Sequence, residues 1–289
     1  MSFLYDIILC TYNGAPFISK QLESFLIQDI KPNKIIISDD GSSDYTLAII
    51  NKFFNQKNFT NYEIISGPKK GVINNFFFAL KYAKSDYIFL SDQDDIWHKE
   101  KISEFSKIAH HTDKPNLIFS DAILIDEIAN EIDPSFFQYQ GLTVKCLDDD
   151  SILFKNCVQG AACAINKPLR DLVLQSLKVI DVNNLYMHDW WIALLAKYYG
   201  GYQFIDKPLI YYRQHSQNQV GASSNKYRFL SYFLQFTKYW NNFRKAISQI
   251  NELERVTLLQ NGSSLKYKKN RQYKYIPKIK LLAVKLLNL

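Results

Sequence analysis

The stretch from residue 5 to residue 44 reads YDIILCTYNGAPFISKQLESFLIQDIKPNKIIISDDGSSD. Its two apolar runs, residues 5–10 and 34–38, predict strands, and residues 15–28 between them place apolar side chains on one helical face. The pattern then continues as helix, strand, helix and strand over residues 44–55, 62–66, 72–83 and 87–91. Strands and helices in strict alternation predict an α/β fold with a mostly parallel, Rossmann-like sheet flanked by helices.

Three strands of this pattern end in polar clusters. CTYNG (10–14) follows the first predicted strand, SDDGSSD (38–44) the second, and SDQDD (91–95) the fourth. In open parallel sheets, ligands bind beyond the carboxyl ends of the strands. The sequence therefore predicts a ligand site built from these three clusters.

The second half of the chain is less regular. We expect strand, turn, strand at residues 117–126, a glycine-containing strand at 158–166, helices at 167–178 and 190–199, and strand, proline turn, strand at 202–213.

We place a domain boundary near residue 220, after which the composition changes. Residues 1–221 would form the main domain and residues 222–289 a C-terminal helical extension that is aromatic and then basic. Residues 227–243 carry eight aromatic side chains in a predicted helix, which could serve as a homo-oligomer interface.

The net charge of +7 is concentrated in the tail. Residues 261–289 hold 8 positive charges and no acid, so residues 1–260 sum to −1. Basic residues interleaved with Tyr, Leu, Ile and Val are typical of a segment that binds an anionic membrane surface. A solvated tail is the plain alternative. The neutral body offers no broad basic face, which argues against nucleic acid as a partner.

Cysteine usage and hydropathy indicate the cytoplasm. The four cysteines, Cys10, Cys146, Cys157 and Cys163, form no CxxC pair, as expected of reduced thiols. The chain opens without a cleavable leader pattern and contains no run of about 20 apolar residues. We expect a cytoplasmic protein that is peripheral at the inner face of the cell membrane.

Asp92, Asp94 and Asp95 place three carboxylates at the end of an apolar strand. Carboxylates at i and i+2 can hold a hard divalent cation, which in turn binds phosphate oxygens. The chain has neither GxGxxG nor GxxxxGK[ST], so a cation would have to neutralise a bound diphosphate.

Other uses of this acidic motif fit less well. An EF-hand counted from Asp92 would need Gly and Glu where Trp97 and Ser103 stand. A haloacid-dehalogenase-like phosphatase would need Thr or Val where Ile96 stands. A phosphohydrolase remains an alternative function for the protein. For Asp95 alone, capping of the helix that follows remains an alternative to metal binding.

Two further acidic sites, the pair Asp39–Asp40 and the single residue Asp189, each have both a structural and a chemical interpretation. Asp39 and Asp40 fit a turn, with Asp44 as a helix N-cap, but a carboxylate there can also accept the imide N–H of a uracil or thymine base. Asp189 fits an N-cap before an aromatic helix face, and beside His188 it also fits a general base.

Arg213 and His215 follow the last predicted strand. They fit a diphosphate contact and a third metal ligand, respectively, although either could be an ordinary surface or packing residue.

The ordered motifs CTYNG, SDDGSSD, GVINNFFFAL, SDQDDIW, SDA, HDWW and YRQH together resemble the inverting family 2 glycosyltransferases, which have a GT-A fold. The resemblance covers about residues 4–221 and is strongest to rhamnosyltransferase-type members that build O-antigen, capsule or other bacterial polysaccharide. The QxxRW motif of processive synthases does not occur, which favours transfer of a single sugar.

The resemblance implies a role for each motif residue. Asp189 would be the catalytic base, and Mn²⁺ or Mg²⁺ would be held by Asp92, Asp94 and His215. The nucleotide-sugar donor, dTDP-rhamnose or a UDP-hexose, would be bound by Thr11, Tyr12, Asn13, Asp39, Asp40, Asn74, Asp92 and Arg213. The acceptor, a saccharide or lipid-linked oligosaccharide, would contact Gln159, Gly160, His188 and Trp190. A non-catalytic nucleotide-sugar-binding protein of the same fold is expected to lack either the base or the metal pair, and this chain has both.

Overall fold

A computed structural model describes residues 3–215 and 236–261 of the chain. Its centre is a nine-stranded mixed sheet. The strands are β1 Tyr5–Thr11, β2 Lys34–Asp39, β3 Tyr62–Ser66, β4 Tyr87–Asp92, β5 Ile96–Trp97, β6 Asn116–Ile125, β7 Glu131–Asp133, β8 Cys163–Asn166 and β9 Gly201–Arg213. Their order is β3-β2-β1-β4-β8-β6-β9-β5, with β7 paired to β6.

Six strands of the sheet run in the same direction. β3, β2, β1 and β4 are mutually parallel, and β6 is parallel to β9. Because β8 is antiparallel to both β4 and β6, those two strands also run the same way. The predicted α/β fold with a mostly parallel sheet is confirmed.

Helices cover both faces of the sheet. They are α1 Ile18–Leu26, α2 Thr46–Gln56, α3 Val72–Ala79, α4 Lys101–Ile108, α5 Phe136–Gln140, α6 Lys145–Asp148, α7 Lys167–Ser176, α8 His188–Tyr199 and α9 Phe236–Asn261. Short 3₁₀ turns lie at Asp150–Leu153, Gly160–Ala162 and Val182–Asn184. Every residue of β1 is buried, because both faces of the sheet are covered at this strand. A strand buried on both faces has apolar side chains at successive positions, as most of β1 does.

Two hydrophobic cores follow from this layering. One lies between the sheet and α3, α7, α8 and α9, and the other lies between the sheet and α1, α2 and α4. Asp44 lies at the start of α2, a helix of the second core, where its carboxylate accepts a hydrogen bond from the Thr46 N–H. The N-cap position itself is Tyr45, one residue later than the sequence suggests.

Two predicted turns are absent from the fold. Residues 116–125 form the single strand β6, and residues 201–213 form the single strand β9. The pairing of these strands shifts between Ser120–Ile205 and Asp121–Pro208, which leaves two extra residues in β9. Such a bulge tolerates a proline inside a strand, because Pro208 sits where the regular ladder is interrupted.

The C-terminal helix α9 docks on the main domain. The Glu252 carboxylate accepts a hydrogen bond of 2.6 Å from Asn184 Nδ2, and Gln249 Oε1 accepts one of 3.0 Å from the Tyr186 N–H. The predicted boundary near residue 220, most of the predicted aromatic helix and nearly all of the basic tail lie outside the described residues. Within the described ranges, no helix combines the length and apolar character needed to cross a bilayer.

Candidate active site

A cavity of about 1180 Å³ opens at the carboxyl ends of the parallel strands. From the first half of the chain, the lining includes residues 10–13, 40–41, 69, 71–72 and 92–94. From the second half it includes residues 154–160, 186–190 and part of α9. The three polar clusters predicted from the sequence therefore meet in one place.

Asp39 lies below the cavity and organises the loop after β2. Its Oδ1 accepts hydrogen bonds from the Gly41 and Ser42 N–H groups at 3.1 and 2.8 Å. Its Oδ2 accepts from the Thr11 and Ser42 hydroxyls at 2.8 and 2.6 Å. A carboxylate has about four acceptor positions, so these bonds occupy all of them. The predicted contact between Asp39 and the base does not fit this arrangement, whereas Thr11 does reach the cavity wall.

Asp40 is the carboxylate of the pair that faces the cavity. It accepts one hydrogen bond on each oxygen, from the Lys69 N–H at 2.6 Å and the Gly71 N–H at 2.8 Å, and retains acceptor capacity. Asn75 also lines the cavity and is buried, where it is bonded to Ser38.

The predicted donor contact Asn74 is wrong by one position. Its side chain bonds the Lys70 carbonyl at the start of α3 and does not reach the cavity wall, which Asn75 forms instead.

Gln93 fixes the loop after β1 to the acidic loop. Its amide group pairs with the Tyr12 backbone in both directions at 2.9 Å. Gly14 is required here, because a Cβ at that position would lie 2.1 Å from Gln93 Oε1. Tyr12 itself is 59% exposed and lines the cavity. The next residue, Asn13, contacts the loop after β2, because its Oδ1 accepts a hydrogen bond from the Ser43 N–H.

The acidic loop after β4 brings like charges together. Removal from water, followed by the charges of Asp94 and Asp189, raises the pKa of Asp92 to about 8. Asp94 Oδ2 lies 2.7 Å from His215 Nε2, and the His215 ring stacks on Phe17. Two residues that are 121 positions apart thus meet at one edge of the cavity.

Asp95 points away from the cavity and is 1% exposed. Its Oδ1 accepts the Arg213 N–H at 3.0 Å, and burial, followed by the charges of Asp94 and Asp92, raises its pKa well above the ordinary value. The expectation that Asp95 caps the next helix is wrong, since α4 begins only at Lys101.

Arg213 is buried behind the acidic loop, where its described contacts are structural. Nε donates to the Asp94 carbonyl at 2.8 Å, and Nη1 donates to the Asp126 and Glu127 carbonyls. It does not line the cavity, so the predicted diphosphate contact does not fit its position. Its role is to hold the backbone that presents Asp94.

Asp189 lines the same cavity and lies in the first turn of α8. Its Oδ2 accepts the Gly160 N–H at 3.1 Å, and its Oδ1 accepts the Trp190 N–H at 2.5 Å and Asn156 Nδ2 at 3.3 Å. Burial raises its pKa to about 6, although these hydrogen bonds oppose the shift. The N-cap is Met187, so the predicted capping role of Asp189 is wrong.

The residues around Asp189 include unsatisfied polar groups. Both ring nitrogens of His188 and both amide atoms of Gln159 are buried without a partner among the described residues. His188 stacks on Phe76 with ring centroids 3.9 Å apart, and burial lowers its pKa to about 3, so the imidazole is neutral. Gly160 leaves room for this ring, since a Cβ there would lie 2.8 Å from His188 Nε2. Trp190, the next residue after Asp189, donates from Nε1 to the Ile152 carbonyl.

Comparison with known proteins agrees with this geometry. The family described as "Glycosyl transferase family 2" matches residues 6–120. A dTDP-rhamnosyl transferase, RfbG of Shigella flexneri, is 31% identical over an alignment of 228 residues that covers 74% of this chain and 74% of the relative. This chain belongs to glycosyltransferase family 2. The residues that match the family include the acidic loop, whereas Asp189 lies beyond them but inside the chain's described second half.

Solved structures share the fold of this family 2 member at low identity. TarS of Staphylococcus aureus in complex with UDP-GlcNAc has a TM-score of 0.54 and 19% identity, covering 94% of this chain and 78% of that one. The mannosyltransferase PcManGT of Pyrobaculum calidifontis, solved with GDP-Man and Mn²⁺, has a TM-score of 0.52 and 16% identity, covering 98% and 79%. The predicted GT-A architecture is confirmed by these neighbours.

Asp94 and His215 meet at the acidic loop of the family 2 site, where Asp94 Oδ2 and His215 Nε2 are 2.7 Å apart, the distance of a hydrogen bond. Carboxylate and imidazole groups are suitable ligands for divalent cations. Asp92 faces the same space. Among residues 3–215 and 236–261, no three or more His, Cys, Asp or Glu side chains are gathered into a metal cluster. The residues fit a cation that also takes ligands from a bound diphosphate and water.

Several residues of this family 2 site were not found from the sequence. Asn75, Asn156 and Gln93 contact Ser38, Asp189 and the Tyr12 backbone, respectively. Asn75 and Gln93 lie within the motifs GVINNFFFAL and SDQDD, whereas Asn156 lies in none of the motifs. Helix α9 adds Asn242, Phe243 and Ala246 to the wall, although the resemblance ended near residue 221.

Proposed function

We propose that this protein is an inverting glycosyltransferase that moves one sugar from a nucleoside-diphosphate sugar to an acceptor hydroxyl. The observation that carries the proposal is the placement of Asp189 in the same cavity as Asp92 and Asp94, near enough for its charge to raise the pKa of Asp92. A reaction centre in this cavity would have access to a base at Asp189 and to a diphosphate at the acidic loop.

The donor end of the cavity is assigned to the nucleotide. Thr11 and Asp40 line it with hydrogen-bonding groups, and the exposed ring of Tyr12 is available to stack on a base. A carboxylate with spare acceptor capacity suits the imide N–H of thymine or uracil. The similarity to a dTDP-rhamnosyl transferase favours dTDP-rhamnose over a UDP-hexose.

Asp189 is the general base in this proposal. It accepts the proton of the acceptor hydroxyl as that oxygen attacks the anomeric carbon, and the bond to the diphosphate breaks on the opposite face. The Gly160 and Trp190 N–H groups fix the carboxylate and favour its ionised form against burial. A direct displacement of this kind inverts the anomeric configuration.

Asp94 and His215, with Asp92, would hold Mn²⁺ or Mg²⁺. When bound, that cation would supply positive charge for the departing nucleoside diphosphate. The protein's own part is to keep these donors aligned, which Arg213 does through the Asp94 carbonyl.

The acceptor is assigned to the wall around Gln159 and His188. Their unsatisfied polar atoms lie beside the base, and a buried polar atom without a partner costs about 1–3 kcal/mol. Hydroxyl groups of a sugar would satisfy them after a small opening of this wall. A saccharide, free or lipid-linked, in bacterial cell-surface polysaccharide synthesis is the acceptor class we propose.

The test of this function is turnover of a nucleotide-sugar panel. The protein is incubated with dTDP-rhamnose, UDP-glucose and UDP-GlcNAc in the presence of Mn²⁺ or Mg²⁺, and release of the nucleoside diphosphate is followed. We expect slow hydrolysis of one donor without acceptor and no release of phosphate from simple phosphate esters. Ester hydrolysis without donor turnover would instead identify a phosphohydrolase.

The pH dependence of turnover follows from the raised pKa of Asp189, which lies at about 6. A base works only when deprotonated, so kcat should be full above this pKa and fall as the pH drops through about 6. The measurement is kcat at saturating donor and cation from pH 4.5 to 8. A kcat that stays constant from pH 7 to pH 5 would contradict the assignment of the base.

We further propose a cytoplasmic location at the inner face of the membrane. The support is the sequence of residues 261–289, with 8 positive charges among apolar residues. Each near-surface charge contributes about 1 kcal/mol to binding an anionic bilayer.

Removing the basic tail should abolish membrane binding. The full chain is expected to sediment with phosphatidylglycerol vesicles, and a chain ending at residue 260 is expected to stay in solution. Vesicles of phosphatidylcholine alone are the control, since they lack the negative charge. Equal sedimentation of the two chains with the anionic vesicles would refute the membrane role of the tail.

A further inference from the structure

Lys101, the first residue of α4, is 0% exposed and contributes nothing to the cavity wall. Its ammonium group donates a hydrogen bond of 2.7 Å to the Ala161 carbonyl. The rings of Trp97, Phe89 and Phe105 surround it, with Nζ 4.2, 5.9 and 5.8 Å from their centroids. A lysine is almost never fully buried without a partner, so this arrangement needs a reason beyond packing.

The Ala161 carbonyl belongs to the short turn Gly160–Ala162. The same turn donates the Gly160 N–H to Asp189 Oδ2 at 3.1 Å. Gly160 also packs against His188, as shown by the 2.8 Å that would separate a Cβ there from Nε2. The position of this turn therefore determines whether the Gly160 N–H can donate its hydrogen bond to Asp189.

The other end of the connection is the acidic loop. Lys101 lies six residues after Asp95, the last carboxylate of that loop. Burial lowers the pKa of Lys101 to about 7, and the charge of Asp95 opposes this shift by favouring the protonated form. Trp97, the nearest ring of the cage, pairs through β5 with β9, which ends at Arg213. Lys101 is thus the side chain that joins the segment presenting the acidic motif to the turn that holds the base.

We propose that Lys101 is a positioning residue. Through its hydrogen bond to the Ala161 carbonyl, it keeps the Gly160–Ala162 turn, and with the turn Asp189, at a fixed position relative to the acidic loop. The inference rests on the proposed function, because it takes Asp189 as the base. Its chemistry is specific, because an apolar residue would leave the Ala161 carbonyl buried without a donor and so destabilise the turn in its present position.

The first test measures the turn itself and needs no substrate. In Lys101→Met, the side chain is one heavy atom shorter and can still pack among the rings, but it loses the donor. We expect hydrogen–deuterium exchange of peptides covering residues 159–163 to become about tenfold faster or more, as for loss of a charge-assisted hydrogen bond. Lys107→Met, on the exposed side of α4, should leave exchange unchanged. Unchanged exchange in Lys101→Met would overturn the proposal.

The second test uses the donor that the panel identifies. Misplacing the base should lower kcat about 10- to 100-fold with little change in nucleotide affinity. Weakening the Gly160 hydrogen bond, which lowers the pKa of Asp189, should also move the acid limb of the kcat profile to higher pH. Ile102→Ala, which removes apolar packing from the same helix but keeps the Lys101–Ala161 hydrogen bond, should lower stability but leave that limb in place. A limb that does not move in Lys101→Met would overturn the positioning role.

A second variant keeps the test decisive if Lys101→Met does not bind nucleotide. Lys101→Gln retains a polar donor but is too short for the Ala161 carbonyl, and the same exchange and pH readouts apply with the same expected directions. Failure of the proposed function looks different, because wild-type protein would then turn over no donor, or Asp189→Asn would remain active. Wild-type activity that depends on Asp189, with unchanged readouts in the Lys101 variants, would reject the positioning role alone.

Discussion

Asp189→Asn is expected to reduce kcat about 10²–10⁴-fold, the range that general-base assistance contributes. The amide keeps the size of the side chain, and its oxygen can still accept from the Gly160 or Trp190 N–H. It cannot take a proton from the acceptor hydroxyl. Nucleotide affinity should therefore change little, since the nucleotide is assigned to other residues, namely Thr11, Tyr12 and Asp40. The measurement is kcat and the nucleotide dissociation constant for both proteins.

Asp181→Asn is the matched control for this substitution. Asp181 precedes α8 in the same segment of chain, caps the short turn Val182–Asn184 and does not line the cavity. The same change of charge there should leave kcat within about twofold, as for a surface change away from the site. If Asp189→Asn keeps more than a tenth of wild-type kcat, Asp189 is not the base.

Asp94→Ala is expected to abolish the part of nucleoside-diphosphate binding that depends on a divalent cation. The substitution removes one of the two donors that meet at 2.7 Å and leaves His215 without that partner. Cation–phosphate interactions contribute several kcal/mol, so affinity should fall by about 100-fold or more. Titration calorimetry with dTDP or UDP, with and without Mn²⁺, measures this directly.

Two controls separate the cation from a general loss of structure. Asp171→Ala removes a carboxylate from α7, outside the cavity, where it pairs with Arg170, and should bind nucleotide as the wild type does. Wild-type protein in excess EDTA should behave like Asp94→Ala. Undiminished turnover in EDTA would show that the reaction does not need the cation.

The sequence predicted the first half of the fold closely because strand and helix periods alternate without interruption there. Strand β3, for example, lies at the predicted residues 62–66. The second half failed where polar residues or a proline lie inside a strand. Asp121 and Pro208 read as turns, yet they face each other at a bulge that joins β6 to β9. A bulge is a property of two paired strands, so one strand's sequence cannot reveal it.

The site was predictable where chain position alone decides it. Polar clusters at the ends of parallel strands had to converge, and they do. Side-chain direction was not predictable: α3 turns Asn75 rather than Asn74 toward the cavity, and Arg213 turns behind the acidic loop. Long-range contacts such as that of Lys101 with Ala161, 60 residues apart, leave no local pattern at all.

The central claim is a single displacement at the anomeric carbon with Asp189 as base, and the configuration of the product tests it most directly. Proton NMR of the sugar first released or transferred from the donor identifies its anomer before mutarotation. A single displacement assisted by Asp189 predicts inversion relative to the donor. Retention of configuration would require two displacements and would contradict this account.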